Sequence, residues 1–165
     1  VENYRRQIAG LLEGGADLLA AETLLYPQDA EAILTAAELE GAETVMYSFT
    51  MQPDGSFFSG MDAGKTLREL EEAGAAAVGF NCVAADMMTP GLVSKLRRQV
   101  KGPLICKPNA GIPVIQPGNV VEYPMLPDEF ADIVADCHAM GAKILGGCCG
   151  TAPEYIAAVK ERVCK

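Results

Sequence analysis

The chain has 165 residues, half of them apolar and 21% charged, which suits one domain with a buried core. Its formal charge of −9 would be repelled by nucleic-acid phosphates and by anionic bilayers, so neither is an expected partner. No apolar run approaches the roughly 20 residues of a membrane span, and no basic start leads into an apolar leader. Six cysteines without a leader fit a reducing, cytoplasmic setting, where thiols serve metals or catalysis more than staples.

A helix is predicted over Glu2–Glu13, directly after Val1, and this abrupt start points to a processed or excised segment. Then short apolar runs alternate with amphipathic stretches. Asp17–Thr23 reads as a strand and Pro27–Glu40 as a helix; Thr44–Thr50 as a strand and Asp62–Ala73 as a helix. Ala76–Cys82 is a predicted strand followed by a helix near Met88–Val100. Pro103–Lys107 is a strand, Asn109–Met125 a Pro- and Gly-rich mouth loop, and Pro127–Met140 a helix. Lys143–Gly147 and Pro153–Val163 supply the last strand and helix.

Near-continuous apolar strands between helices mean a parallel sheet covered by helices. Gly15, Gly41, Gly74 and Gly141 stand where helices need a left-handed residue to stop, and Pro27, Pro127 and Pro153 stand near first turns. The join recurs as GADLL, GAETV, GAAAV and GAKIL, which favours repeated βα units. The fold class expected is α/β, a parallel (β/α) barrel of TIM type. Five units are present of the expected eight, because a closed barrel takes about 250 residues.

The polar residues with chemical potential fall at the C-terminal ends of the strands: Glu22 and Thr23, Ser48 and Thr50, Asn81 and Cys82, Asn109, then Cys148 and Cys149. In parallel α/β folds those ends form the ligand-binding face. In GGCCGT, Gly146–Thr151, flanking glycines would let adjacent side chains turn to one point. A tight structural turn, a phosphate cradle and a strained vicinal disulfide are the rival readings. Metal binding is favoured because Cys82 ends the strand two before the one leading to Cys148, so a barrel would converge all three thiols. Three thiolates with one open position suit catalytic zinc.

That donor set limits the chemistry. Thiolates leave the metal a poor generator of hydroxide but a good holder of a fourth sulfur. A free thiol of pKa about 8.5 is only about 3% ionised at pH 7, and zinc would ionise it while leaving it nucleophilic. Alkyl transfer to a substrate thiol is the expected reaction. Cys106, Cys137 and Cys164 read as core or surface thiols, His138 as a helix-end cation, and Lys107 as either a mouth or a surface lysine. Asn81 and Asn109 are candidates for supporting or substrate contacts.

GFNC (Gly79–Cys82) with GGCCGT, ET (Glu22–Thr23) upstream and PNAG (Pro108–Gly111) between resembles the homocysteine S-methyltransferase family over essentially the whole chain. That family includes the homocysteine domain of cobalamin-dependent methionine synthase and betaine–homocysteine methyltransferase. The resemblance implies a (β/α)₈ barrel, zinc on Cys82, Cys148 and Cys149, and homocysteine as methyl acceptor, giving methionine. It further implies that Glu22 binds the homocysteine amino group; Asn109, on the reading of the residues themselves, is the better candidate of the two asparagines for a second substrate contact. Family members use methylcobalamin (loaded from methyltetrahydrofolate and here supplied by another domain), S-methylmethionine or betaine as donor; GADLLAAET and PNAGIP resemble the methionine synthase branch more. Nothing in residues 1–165 matches the family's first three strands and glycine-rich Asp-containing loop. The expectation is therefore a C-terminal portion of the homocysteine-binding domain. Its alternative is a non-catalytic zinc-binding fragment or subunit that needs a partner segment.

Overall fold

The computed structural model describes residues 1–87 and 90–164. Its elements run α1 (Glu2–Glu13), β1 (Leu19–Leu24), α2 (Pro27–Glu40), β2 (Val45–Phe49), α3 (Ala63–Glu72) and β3 (Ala77–Ala84). They continue with a single 3₁₀ turn, α4 (Pro90–Arg97), β4 (Leu104–Asn109), β5 (Val114–Gln116), β6 (Val120–Glu122), α5 (Pro127–Ala139), β7 (Ile144–Leu145) and α6 (Pro153–Val163). The expected start of the fourth helix at Met88 lies outside the described residues. No helix among those described is long and apolar enough to cross a membrane.

The five expected strands form one parallel sheet in the order β1-β2-β3-β4-β7, each followed by a helix. Sequential order without a switch point is the arrangement of an arc of a TIM-type barrel. Register sorts the side chains. Tyr47, Val78 and Leu104 stand on the helix-covered face with Phe49, Phe80 and Cys106, and all six are buried. The opposite, concave face carries Ala20, Glu22, Met46, Ser48, Gly79, Asn81, Ile105, Lys107 and Ile144. Burial on one face and chemistry on the other follow from the period-2 alternation of strands.

The repeated Gly-Ala joins have a common geometry. Gly15, Gly41, Gly74 and Gly141 all have positive φ, and each donates to the carbonyl three residues back. The alanine that follows donates five residues back: Ala16 to Leu11, Ala42 to Ala37, Ala75 to Leu70 and Ala142 to Cys137. These are Schellman motifs, in which both bonds satisfy carbonyls the helix end would leave free. Four helices thus stop in the same way and feed the chain into the next strand.

Two expectations need correction. Asn109–Met125 is not only a loop, because β5 and β6 pair as an antiparallel hairpin. Gly118 and Asn119, with φ of 86° and 62°, turn the chain between Val114-Ile115 and Val120-Val121, whose branched side chains favour strands. The last strand is shorter than Lys143–Gly147, with only Ile144 and Leu145 in the ladder. Backbone bonds nonetheless continue along β4, from Gly146 N to Cys106 O and from Cys148 N to Pro108 O. This carries the GGCC segment up to the sheet's C-terminal rim.

Gly79 has no room for a side chain, since a Cβ there would lie 2.6 Å from the Ile105 backbone nitrogen. Gly79→Ala should cost at least about 3 kcal/mol, because rigid neighbouring backbone must shift. A thermal melt checks it, with an expected fall of about 6–12 °C.

Candidate metal and substrate site

Cys82 reaches the rim through a β-bulge. The β3–β4 register slips between Asn81 and Ala84, and Cys82 adopts a left-handed backbone with φ 59°. β1 carries a matching irregularity between Ala21 and Leu24, with Thr23 also at φ 59°. A left-handed β-branched residue is strained, and such strain persists only where surrounding contacts hold it. For Thr23 those contacts come from the Asn81 carboxamide, which bonds both its N–H and its hydroxyl. Bulges re-aim side chains at sheet rims.

Cys148 and Cys149 are carried by the turn after β7. The Cys148 carbonyl accepts from the Thr151 hydroxyl at 2.7 Å, and the Cys149 carbonyl accepts from the Ala110 N–H at 2.9 Å. The Asn109 carboxamide accepts from the Cys149 N–H at 3.0 Å. Of the flanking glycines, only Gly150 is left-handed, with φ 77°. Gly147 instead makes room for the Thr151 side chain, and Gly150 also makes room for the Tyr123 ring. Space, more than unusual backbone angles, explains the glycines of GGCCGT.

The three sulfurs converge. Cys82 Sγ lies 3.8 Å from Cys149 Sγ, and the Sγ atoms of Cys82, Cys148 and Cys149 all lie within 4.8 Å of one another. Zn–S bonds of about 2.3 Å at tetrahedral angles put ligand sulfurs about 3.8 Å apart, so the donor set fits one zinc ion. All six cysteines are free thiols. Burial, then the neighbouring Cys148 and Cys149, push the Cys82 thiol up to about 12. The Cys82 thiol therefore resists ionising unless a cation joins it.

Ser48, Asn81 and Asn109 are the buried polar side chains among the described residues, and all three sit at this rim. Glu22, on the concave face, pairs with Lys107. Together they line a cavity of about 200 Å³ with Met46, Ser48, Ile105 and Ile144. Lys107 is thus a mouth residue, its stem lying over Gly146, where a Cβ would come within 3.2 Å of it. Tyr123, just beyond β6, was not singled out by the sequence, since it falls in a Pro/Gly-rich stretch. Its phenol is raised by loss of solvent and then by Cys149 beside it.

The remaining candidates stand apart from the cluster. Cys106 and Cys137 are buried in the core and Cys164 is exposed. His138 Nδ1 lies 2.9 Å from the Ala142 carbonyl oxygen, tying the end of α5 to the turn beyond it.

The family model for homocysteine S-methyltransferase matches residues 1–163. Methionine synthase of Mycobacterium tuberculosis is 31% identical over 166 residues, covering 97% of this chain and 14% of that protein. Homocysteine S-methyltransferase YbgG of Bacillus subtilis is 30% identical, covering 94% of this chain and 50% of that one. Among solved structures, the metallated form of the homocysteine methyltransferase MmuM from Escherichia coli superposes with TM-score 0.79 at 28% identity. That match covers 98% of this chain and 51% of the MmuM chain. The chain therefore spans about half the length of YbgG and MmuM, and a far smaller share of methionine synthase. Matched from α1 through α6 by a single family model, the chain belongs to the homocysteine S-methyltransferase family.

Proposed function

We propose that this chain is the thiol-activating portion of a barrel that transfers a methyl group to homocysteine, giving methionine. The observation that carries the reading is the convergence of the Cys82, Cys148 and Cys149 sulfurs at the C-terminal rim of a parallel sheet. These three thiolates would hold zinc, which when bound supplies a Lewis acid that keeps an acceptor sulfur ionised at neutral pH.

The chain's own groups do the rest. Glu22 offers a carboxylate to the α-ammonium of homocysteine, and its ion pair with Lys107 holds that carboxylate over the concave face. Asn109 acts through the Cys149 backbone, holding the turn that presents the sulfurs. The apolar Met46, Ile105 and Ile144 border the cavity and keep water from the aliphatic part of the substrate. The methyl donor is methylcobalamin from another domain, a reading supported by the likeness to methionine synthase. The chain occupies the C-terminal part of the homocysteine-binding domain. Further βα units would pair with β1, whose free edge borders a groove of about 580 Å³ beside α1, and with β7 at the other edge.

Cobalt substitution tests this reading. Co²⁺-loaded protein should show sulfur-to-metal absorption that changes on adding homocysteine, with release of a proton near neutral pH. Glu22→Gln should weaken the homocysteine response about 10-fold or more while leaving the metal absorption in place. A spectrum unchanged at saturating homocysteine would reduce the cluster to a structural site.

A further inference from the structure

Asn81 is fully buried, and its carboxamide spans three strands and the turn that holds the cysteines. Oδ1 accepts from the Thr23 N–H at 2.8 Å and from the Ser48 hydroxyl at 2.8 Å. Nδ2 donates to Thr23 Oγ1 at 2.6 Å and toward Cys148 Sγ at 3.7 Å. Two donors and two lone pairs are the whole capacity of the group, and all are engaged. The amide orientation is also determined. A backbone N–H can only donate, so the oxygen must face Thr23 N and the nitrogen must face the sulfur.

We propose that Asn81 is a positioning residue acting through Cys148: its N–H holds the Cys148 sulfur toward Cys82 and Cys149, anchored by the bulged end of β1. An N–H donor prefers a thiolate to a thiol, because the charge strengthens the bond. Asn81 is fully buried, so no water competes for its carboxamide, while Cys148 is half-buried. The anchor is the strained one. Thr23 holds φ 59°, and Asn81 bonds both its N–H and its hydroxyl, opposing relaxation of the bulge. Because Glu22 precedes Thr23, one amide also ties the carboxylate-bearing strand to the sulfur cluster. This role rests on the metal-thiolate reading of the three cysteines.

The test is Co²⁺ titration of the full chain, comparing wild type with Asn81→Asp and Thr23→Val. Asn81→Asp keeps an oxygen for Thr23 N–H and Ser48 but removes the N–H donated to sulfur. It should bind Co²⁺ about 10–100-fold more weakly and move the sulfur-to-cobalt band to lower energy. Thr23→Val leaves Asn81 in place and removes one anchor, so its loss should be smaller, under about 10-fold. It carries the test if Asn81→Asp does not fold. A folded Asn81→Asp protein with wild-type affinity and band overturns the proposal. So does wild-type affinity in Thr23→Val when Asn81→Asp cannot be folded. Absence of any sulfur-to-cobalt band in the wild type would instead bring down the metal reading itself, and this role with it.

Discussion

Single Cys→Ser substitutions at positions 82, 148 and 149 should each take zinc content from about one per chain to below about a tenth. Structural zinc binding of about 10–16 kcal/mol shared over four ligands gives roughly 2.5–4 kcal/mol for each, so losing one thiolate weakens affinity about 10²–10³-fold. Cys106, Cys137 and Cys164 form the control group. The first two are fully buried in the core, and a serine hydroxyl there should cost about 1–3 kcal/mol of stability without touching the metal. Cys164 is exposed and should show neither effect. Elemental analysis per folded chain separates the groups, and equal zinc loss from both would remove the assignment. Loading should also tighten as pH rises, since the Cys82 thiol, held near 12 by burial and its neighbours, must release its proton to the metal.

The second large effect concerns turnover. The chain alone should make methionine at least about 100-fold more slowly than the same chain completed by three βα units from a full-length relative. Glu22 stands on β1, an edge strand of the sheet, and is exposed on the concave face that a closed barrel would enclose. An open face admits water to the reacting sulfur and leaves the substrate loosely held. Leu18, Leu25 and Tyr26, which flank the β1 edge, are 44%, 45% and 58% exposed. Such an edge invites pairing with another chain, so dimers or aggregates are expected without the added segment. Assay and sedimentation with and without the co-expressed segment decide this. Full turnover by a monomer of this chain would show that five units suffice.

Legibility in the sequence followed physical range. Helix boundaries at Pro27–Glu40 and Pro153–Val163 agree with the structure because Pro starts and helical periodicity are local. The four Gly-Ala joins were readable for the same reason: a left-handed stop is a property of a few adjacent residues. The β5–β6 hairpin escaped because Pro117 and Gly118 lower the apparent strand propensity of a stretch whose valines pair only across the turn. Composition saw the turn and missed its arms.

By itself the sequence determined the parallel α/β architecture, the order of its five βα units and which residue types crowd the strand ends. These are periodic or nearest-neighbour properties, set by alternation, caps and turns. Only the tertiary structure decided how those residues meet. Strand register and the bulges at Thr23 and Cys82 bring Cys82 to within 3.8 Å of a sulfur 67 residues away in the chain. The same packing pairs Lys107 with Glu22 across 85 residues. It also gives Asn81 its partners Thr23, Ser48 and Cys148. No short-range pattern records such contacts, because hydrogen-bond register between strands is settled when the whole sheet packs against its helices.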